Sequence, residues 1–477
     1  RNPVEPFGPL LFTLLEGRGP SLWDTEREKA GKAFYLDEEG NVSLSERWEC
    51  RGVRFGRVED SYADITGAPA YRRFLSLRAA LFSDKLPCAF ASTCAPAVAF
   101  SRRWIRKPTA LPGSTPLLDS PKRRGTLGSW PSATENRMAG RDFSVVMSPT
   151  LECNAACDYC FQAHPPTHAD IALLQRVFLE LREYAVNQGI TTLRSYWQGG
   201  EVLTLSPELL EEALLAEREA FVGSEVKLED HLQTNLIDYN SAYGRLVGTY
   251  FDSTLSSSID YPNLYRHRPG RSAQAYSEEW LQKKQQAEAD GIAVSVIAMP
   301  NVETLRVGAQ RFVQHFVEEL GIRHFQVNFP FPGVGPQTLS LDLQELGDFY
   351  TDLLDVTEGY GSELHVSPFN SLEHALCTGE RGLPCIWSSN CADALCGIGP
   401  DGSVAQCDCW LNGGAKRSFG NLAELDMQEI MRSPNRAGFS ERSRRLLART
   451  DCGLCRYWSL CHGGCPVRAL AFTGKFN

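Results

Sequence analysis

Three cysteines fall within eight residues, Cys153-Asn-Ala-Ala-Cys157-Asp-Tyr-Cys160, close behind the apolar run Phe143-Ser-Val-Val-Met147. That run reads as a buried strand, which puts the cysteines in the loop at its carboxyl end. Three thiolates so closely spaced can hold three irons of a cubane cluster and leave the fourth without a protein ligand. An open coordination position means reactivity, because a small molecule can bind there. The competing reading is a zinc knuckle or three unrelated core cysteines. Zinc sites normally take four ligands arranged in C-x2-4-C pairs, and this stretch does not offer them.

What surrounds the trio is regular from Arg141 to about Thr357. Strand-like runs occur at Phe143–Met147, Thr191–Trp197, Glu225–Leu232, Ser253–Ile259, Ile292–Met299 and His324–Phe329. Between most of them lie helical patterns. Ile171, Leu174, Phe178, Leu181 and Ala185 share one helical face, with Gly189 as a stop. Ser206-Pro207 opens another helix as cap and first-turn proline. Further helices are predicted from Tyr276 to Asp290 and from about Leu305 to Leu320, each ending before a glycine. Strands alternating with helices argue for an α/β fold, a parallel sheet with right-handed crossovers. Such sheets place their chemistry at the carboxyl ends of the strands, where the trio sits.

The chain has 477 residues, enough for two or three domains. A net charge of −10 makes a nucleic-acid backbone an unsuitable partner. No apolar run is long enough for a membrane span, and no secretory signal is evident, although the chain begins at Arg1. Sixteen cysteines in short-spaced groups without an export signal point to metal and to a reducing cytoplasm. Residues 1–105 form an N-terminal extension, a peptide-docking module or a structural cap. Phe34 to Leu44 suits a hairpin turning at Glu39-Gly40-Asn41, and Tyr71–Phe82 has helical spacing. Cys50, Cys88 and Cys94 are scattered and read as buried or free thiols. Residues 106–140, with Pro112-Gly-Ser-Thr-Pro116 and the basic Lys122-Arg123-Arg124, read as a linker.

The C-x3-C-x2-C spacing, with Tyr159 just before the last cysteine, resembles the signature of the radical S-adenosylmethionine (SAM) enzymes. That resemblance implies a partial (β/α)6 barrel over 141–357, with a SAM-binding [4Fe-4S] cluster on Cys153, Cys157 and Cys160. It also carries over the SAM contacts. Gly199-Gly200-Glu201 is similar to the family's GGE motif, where glycines allow close backbone approach and Glu201 accepts from the SAM ammonium. Gln233-Thr-Asn235 resembles the QTN segment. Ser258-Ile-Asp260 with Arg268 resembles S-x-D and its downstream arginine, placing Tyr159, Gln233, Ser258 and Arg268 among the cofactor contacts. The usual S-x-D-G-P reads here Ser258-Ile-Asp260-Tyr261-Pro262, which leaves the arginine open between Arg268 and Arg271.

Residues 358–477 hold ten of the sixteen cysteines. Cys391-x10-Gly402-x4-Cys407 followed by Cys452-x2-Cys455-x5-Cys461-x3-Cys465 resembles the SPASM domain, an extension holding two auxiliary [4Fe-4S] clusters. By that resemblance Cys391, Cys396, Cys407 and Cys465 bind the first, and Cys452, Cys455 and Cys461 bind most of the second. Ligands drawn from both segments would staple them together. The family pattern has one more cysteine past a T-G-x-x-N-like stretch, and the sequence ends at Thr473-Gly-Lys-Phe-Asn477. A missing tail, Cys409 or Cys385 as substitute, or an open iron all remain possible completions. Asp408, next to Cys407, matches a general base of the anaerobic sulfatase-maturating branch, or else accepts hydrogen bonds near the cluster. Zinc remains the alternative for this field, since C-x2-C pairs also build zinc ribbons.

The resemblance implies a radical SAM oxidoreductase with three [4Fe-4S] clusters. It would take an electron from a donor such as flavodoxin or ferredoxin and modify a side chain of a precursor peptide or protein. A cross-link is the expected product. The alternatives are formylglycine generation and small-molecule dehydrogenation.

Overall fold

The computed structural model describes residues 35–36, 41–43, 56–57, 141–328, 341–372, 391–411, 417–447, 450–454, 458 and 462–473. Seven parallel strands run in chain order: β1 (Arg141–Thr150), β2 (Ile190–Gly199), β3 (Lys227–Thr234), β4 (Thr254–Ser258), β5 (Ala293–Ala298), β6 (His324–Val327) and β7 (His365–Ser367). The six expected strands are all present, as parallel neighbours. β3 begins and ends two residues later than its pattern suggested. The ladder explains the offset: Lys227 pairs with Thr192 of β2, and Gln233 and Thr234 pair with Ser256 and Ser257 of β4. β7, paired in parallel with β6, extends the sheet past residue 357.

The connecting helices start and stop where local chemistry directs. In α1 (Ile171–Gln188) the Asp170 side chain accepts from Leu173 N at 2.7 Å, and Gly189 closes the helix at φ 64°. In α2 (Pro207–Ala220) Ser206 caps and Pro207 takes the first turn. α3 (Ser241–Tyr250), which has no clear sequence pattern, links β3 to β4, and α4 (Ala273–Ala289) links β4 to β5. α5 (Val302–Gln314) continues into a π-turn over His315–Glu319, and α6 (Leu343–Glu358) precedes β7. Leu174, Phe178, Leu181 and Ala185 of α1 are all buried, as their spacing predicted. Phe178 meets Trp197 of β2 at 6.0 Å between ring centroids. Burying each such ring is worth about 1.5–3 kcal/mol.

Alternation along the strands separates two faces. The helix-facing side carries Trp197, Ser195 bonded to Glu217 of α2 at 2.7 Å, and Ser257 bonded to Trp280 of α4 at 2.9 Å. The opposite, concave side therefore carries Ser144, Tyr196, Gln198, His231, Gln233, Ser256, Ser258, Ser295 and Gln326. Closed (β/α)8 barrels fill that side with bulky branched residues. Small and polar residues here leave a polar lumen instead, with Tyr196 and His231 stacked at 5.0 Å and exposed along it.

On its other edge β1 pairs in parallel with β8 (Leu395–Ile398), which pairs antiparallel with β9 (Ser403–Ala405), and that with β10 (Gly420–Asn421). The cysteine-rich segment is thus fastened to the strand that leads into Cys153. Further N-terminal, Tyr35–Leu36 pairs antiparallel with Asn41–Ser43, in keeping with the expected hairpin, and a third strand covers Gly56–Arg57. The expected helix at 71–82, the linker at 106–140, and Cys50, Cys88, Cys94, Cys385, Cys455 and Cys461 lie outside the described residues. No described helix is long and apolar enough to cross a membrane.

Candidate active site

The loop after β1 carries Cys153, Cys157 and Cys160 and is gripped from two sides. On one side the Gly199–Glu201 turn at the end of β2 packs directly beneath it. Gly200 N donates to Thr150 O at 3.0 Å, and Glu201 N donates to Glu152 O at 2.8 Å. A Cβ on Gly199 would lie 2.1 Å from Thr150 O, and that residue sits at φ 141°. A Cβ on Gly200 would lie 2.3 Å from both Leu151 O and Glu152 O. These two glycines serve the approach of the cysteine loop itself.

Glu201 is 3% exposed and fully engaged. One carboxylate oxygen accepts from Leu203 N at 3.0 Å and from the Thr234 hydroxyl, and the other accepts from Asn235 N at 2.6 Å. It ties the ends of β2 and β3 together. Burial pushes its pKa up to about 7, against the lowering effect of those donors. Asn235 then reaches the cysteine loop, donating to Asn154 Oδ1 at 2.5 Å, with Cys153 Sγ at 4.0 Å. Gln233 donates to Ser258 Oγ at 2.9 Å, so those two expected contacts stand together at the mouth of the lumen.

On its other side the loop is bonded to the segment after β4. Ala156 N donates to His267 O at 2.8 Å, and Asp158 N to Tyr265 O at 3.0 Å. The Tyr159 hydroxyl donates to Asp260, whose carboxylate also accepts from Arg266 Nε at 3.0 Å and Met299 N at 2.9 Å. Arg268, expected near the cofactor, is turned to α4, where it donates to Glu279 at 2.8 Å. Arg271 is more exposed and lies 4.0 Å from the same carboxylate. Of these three arginines Arg266 is the buried one. Tyr261, in place of the family's glycine, stacks on His315 at 3.7 Å beneath Arg311.

The donor set suits a cationic cluster. Burial pushes the Cys153 thiol up to about 12, and Cys157 is also raised, chiefly by burial. Cys160 is lowered: burial opposes its thiolate, but hydrogen bonds from His164 and the Gln162 amide outweigh it. A bound iron–sulfur cluster would supply the positive charge that makes such thiols thiolates. Asn154 Nδ2, Ser148 Oγ and Tyr276 OH are buried there with no hydrogen-bond partner among the described residues. Donors of that kind are what a cluster and its cofactor can take up.

In the C-terminal segment, Cys391, Cys407 and Cys465 line one cavity with Gln406, His462 and Arg442. Three separate stretches of chain meet there. Cys396, expected with them, is buried on β8 against β1 and is not among the lining residues. Cys452 is partly buried. Cys407, Asp408 and Cys409 bring their ligand atoms within 4.8 Å of one another. The turn carrying Cys407 and Asp408 lies directly on Gly397, where a Cβ would come within 2.6 Å of it. Burial holds Asp408 above the ordinary carboxylate range, and Cys409 and Gln198, close beside it, pull it part of the way back down. Gln198 is the residue just before the Gly199–Glu201 turn, so Asp408 stands at the mouth of the lumen.

Sequence reasoning missed Gln198, His164 and Arg266. Only His164, four residues past Cys160, offered a local spacing signal.

No protein-family model matches the chain. It is similar to the serine-type anaerobic sulfatase-maturating enzymes of Klebsiella aerogenes and Klebsiella pneumoniae. The identities are 25% and 24% over 340 residues, spanning 68% of this chain and 80% and 82% of those enzymes. Among solved structures it is similar to anSMEcpe with bound AdoMet and Cp18Cys peptide, with a TM-score of 0.59 and 20% identity over 68% of this chain and 89% of that one. It also resembles Streptococcus suis SuiB bound to precursor peptide SuiA, with a TM-score of 0.50 and 15% identity over 69% and 72%. The cysteine loop at the end of the first strand, the partial barrel around a polar lumen and these relatives agree: the chain has the radical SAM fold, and its homologues are anaerobic sulfatase-maturating enzymes.

Proposed function

We propose that this chain is a radical SAM maturase that removes a hydrogen from a side chain of a ribosomally made peptide or protein and oxidises that side chain. The observation that carries this reading is the position of Asp408. A partly buried carboxylate from the cysteine-rich segment stands close to Gln198, beside the turn that supports the cysteine loop. Acid–base chemistry and the cluster loop thereby open on one polar lumen.

When bound, SAM and a reduced [4Fe-4S] cluster would supply hydrogen-atom abstraction, and auxiliary clusters would supply an acceptor for the second electron. Cys153, Cys157 and Cys160 would hold the first cluster, and Cys391, Cys407 and Cys465 would hold an auxiliary one. Asp408 takes the proton that leaves the oxidised side chain, oriented by Gln198. Gln233 and Ser258 present polar groups to the cofactor, and the turn at Glu201 sets the height of the loop above it. The chain's contribution is position, since a carbon radical must meet only its target. A flavodoxin or ferredoxin is the fitting electron donor.

The product divides into two readings. A cross-link removes two hydrogens and joins two residues, whereas formylglycine formation removes two hydrogens from one serine. The Klebsiella relatives, both named serine-type sulfatase-maturating enzymes, favour the second as the alternative. Anaerobic incubation with SAM, reductant and either a sulfatase-derived serine peptide or a precursor peptide tests both. Loss of two hydrogens is expected, and an aminooxy reagent labels formylglycine but not a cross-link. Protein that binds zinc without acid-labile sulfide, or releases no 5′-deoxyadenosine, overturns the proposal.

A further inference from the structure

We propose that Asp260 and Arg266 act as positioning residues, forming a latch that sets the cysteine loop in register before any cofactor arrives. The inference rests on the radical SAM reading only for its catalytic consequence; the latch itself is a property of the folded chain. Asp260 is 2% exposed and gathers donors from three elements: the Tyr159 hydroxyl of the cysteine loop, Arg266 Nε of the segment after β4, and Met299 N after β5. The Arg266 guanidinium lies over the Tyr159 ring, 5.3 Å from its centroid. Tyr159 directly precedes Cys160, so its ring and hydroxyl are held from two directions next to a ligand.

The segment that carries Arg266 is itself immobilised. Asn263 Oδ1 accepts from Arg266 N at 3.0 Å, while its amide nitrogen donates to Arg266 O and Ala273 O at 3.0 and 2.9 Å. Thr304 and Asn301 at the start of α5 hold the carbonyls of Tyr261 and Pro262, each at 2.7 Å. The main-chain bonds from Ala156 to His267 and from Asp158 to Tyr265 then transmit that rigidity to the loop. A buried ion pair adds little net stability over an apolar pair of equal size, but losing one partner strands a charge. Such a pair is better suited to fixing register than to stabilising the fold.

Hydrogen exchange in the metal-free full chain, read over residues 154–160, tests this directly. Asp260→Asn strands Arg266 and is expected to speed exchange there on the order of 100-fold. Tyr159→Phe, which keeps the ring under Arg266, has a smaller effect, and Arg266→Lys restores only part of the protection. The double variant Asp260→Leu/Arg266→Met separates register from packing. It recovers the melting temperature while the loop amides stay fast. In reconstituted protein these variants lose or shift the electron paramagnetic resonance signal of the SAM-binding cluster and leave the auxiliary signals in place. Unchanged exchange in Asp260→Asn, or protection returning together with melting temperature in the double variant, overturns the latch. Wild-type protein that fails to cleave SAM would sink the enzymatic reading and leave the exchange result standing.

Discussion

Replacing Gly200 by alanine should displace the cysteine loop without unfolding the barrel. The new Cβ would lie 2.3 Å from Leu151 O and Glu152 O and 2.6 Å from Leu151 C, all of them backbone atoms that cannot swing aside. Ordinary contact requires the loop to retreat by about 1 Å. The retreat stretches the bonds from Gly200 N to Thr150 O and from Glu201 N to Glu152 O, each worth about 1 kcal/mol. Overpacking adds about 1–3 kcal/mol. The fold should tolerate that loss, but a shift of about 1 Å in a reacting geometry costs on the order of 100-fold in rate. Anaerobic release of 5′-deoxyadenosine should therefore fall about 100-fold, while the melting temperature drops only modestly. Gly189→Ala is the control: it strains a left-handed cap at φ 64° with nothing within 4 Å, costs about 1–2 kcal/mol, and lies at the opposite end of β2. If Gly200→Ala cleaves SAM at the wild-type rate, or Gly189→Ala is equally impaired, the steric argument is wrong.

Changing Cys153, Cys157 and Cys160 together to alanine should abolish SAM cleavage and leave the auxiliary iron in place; retained cleavage refutes the assignment of that loop. Glu201 tests the linkage between burial and stability. Its pKa is raised from 4.5 to about 7 by burial, so the folded state holds the proton more tightly than the unfolded chain. Its contribution is full below about 4.5 and is lost as pH rises to about 7. Glu201→Gln cannot titrate. Urea denaturation of the metal-free chain should show the wild-type advantage over this variant shrinking by about 3 kcal/mol across that window, and a pH-independent difference would contradict it. Asp408→Asn should leave 5′-deoxyadenosine release intact and lower peptide oxidation about 100-fold; equal product yields would remove Asp408 from the mechanism.

Local rules determined much of this protein. Spacing alone located the cysteine loop behind β1, the six strands and the caps at Ser206 and Gly189, because period, turn chemistry and helix ends are short-range energies written in neighbouring residues. Other features required the assembled chain. Arg266 and Arg268 are two residues apart and locally alike; the turn held by Asn263 sends one to the core and the other to Glu279. Glu201 spends its carboxylate on Thr234 and Asn235, partners supplied only when β3 lies beside β2. Gln198 and Asp408 share no local pattern, and they meet because β8 adds to the free edge of β1 and carries the cysteine-rich segment over the lumen. Such contacts depend on which strand edges pair and which way each side chain alternates, choices that are settled by the energy of the whole sheet and not by any window of sequence.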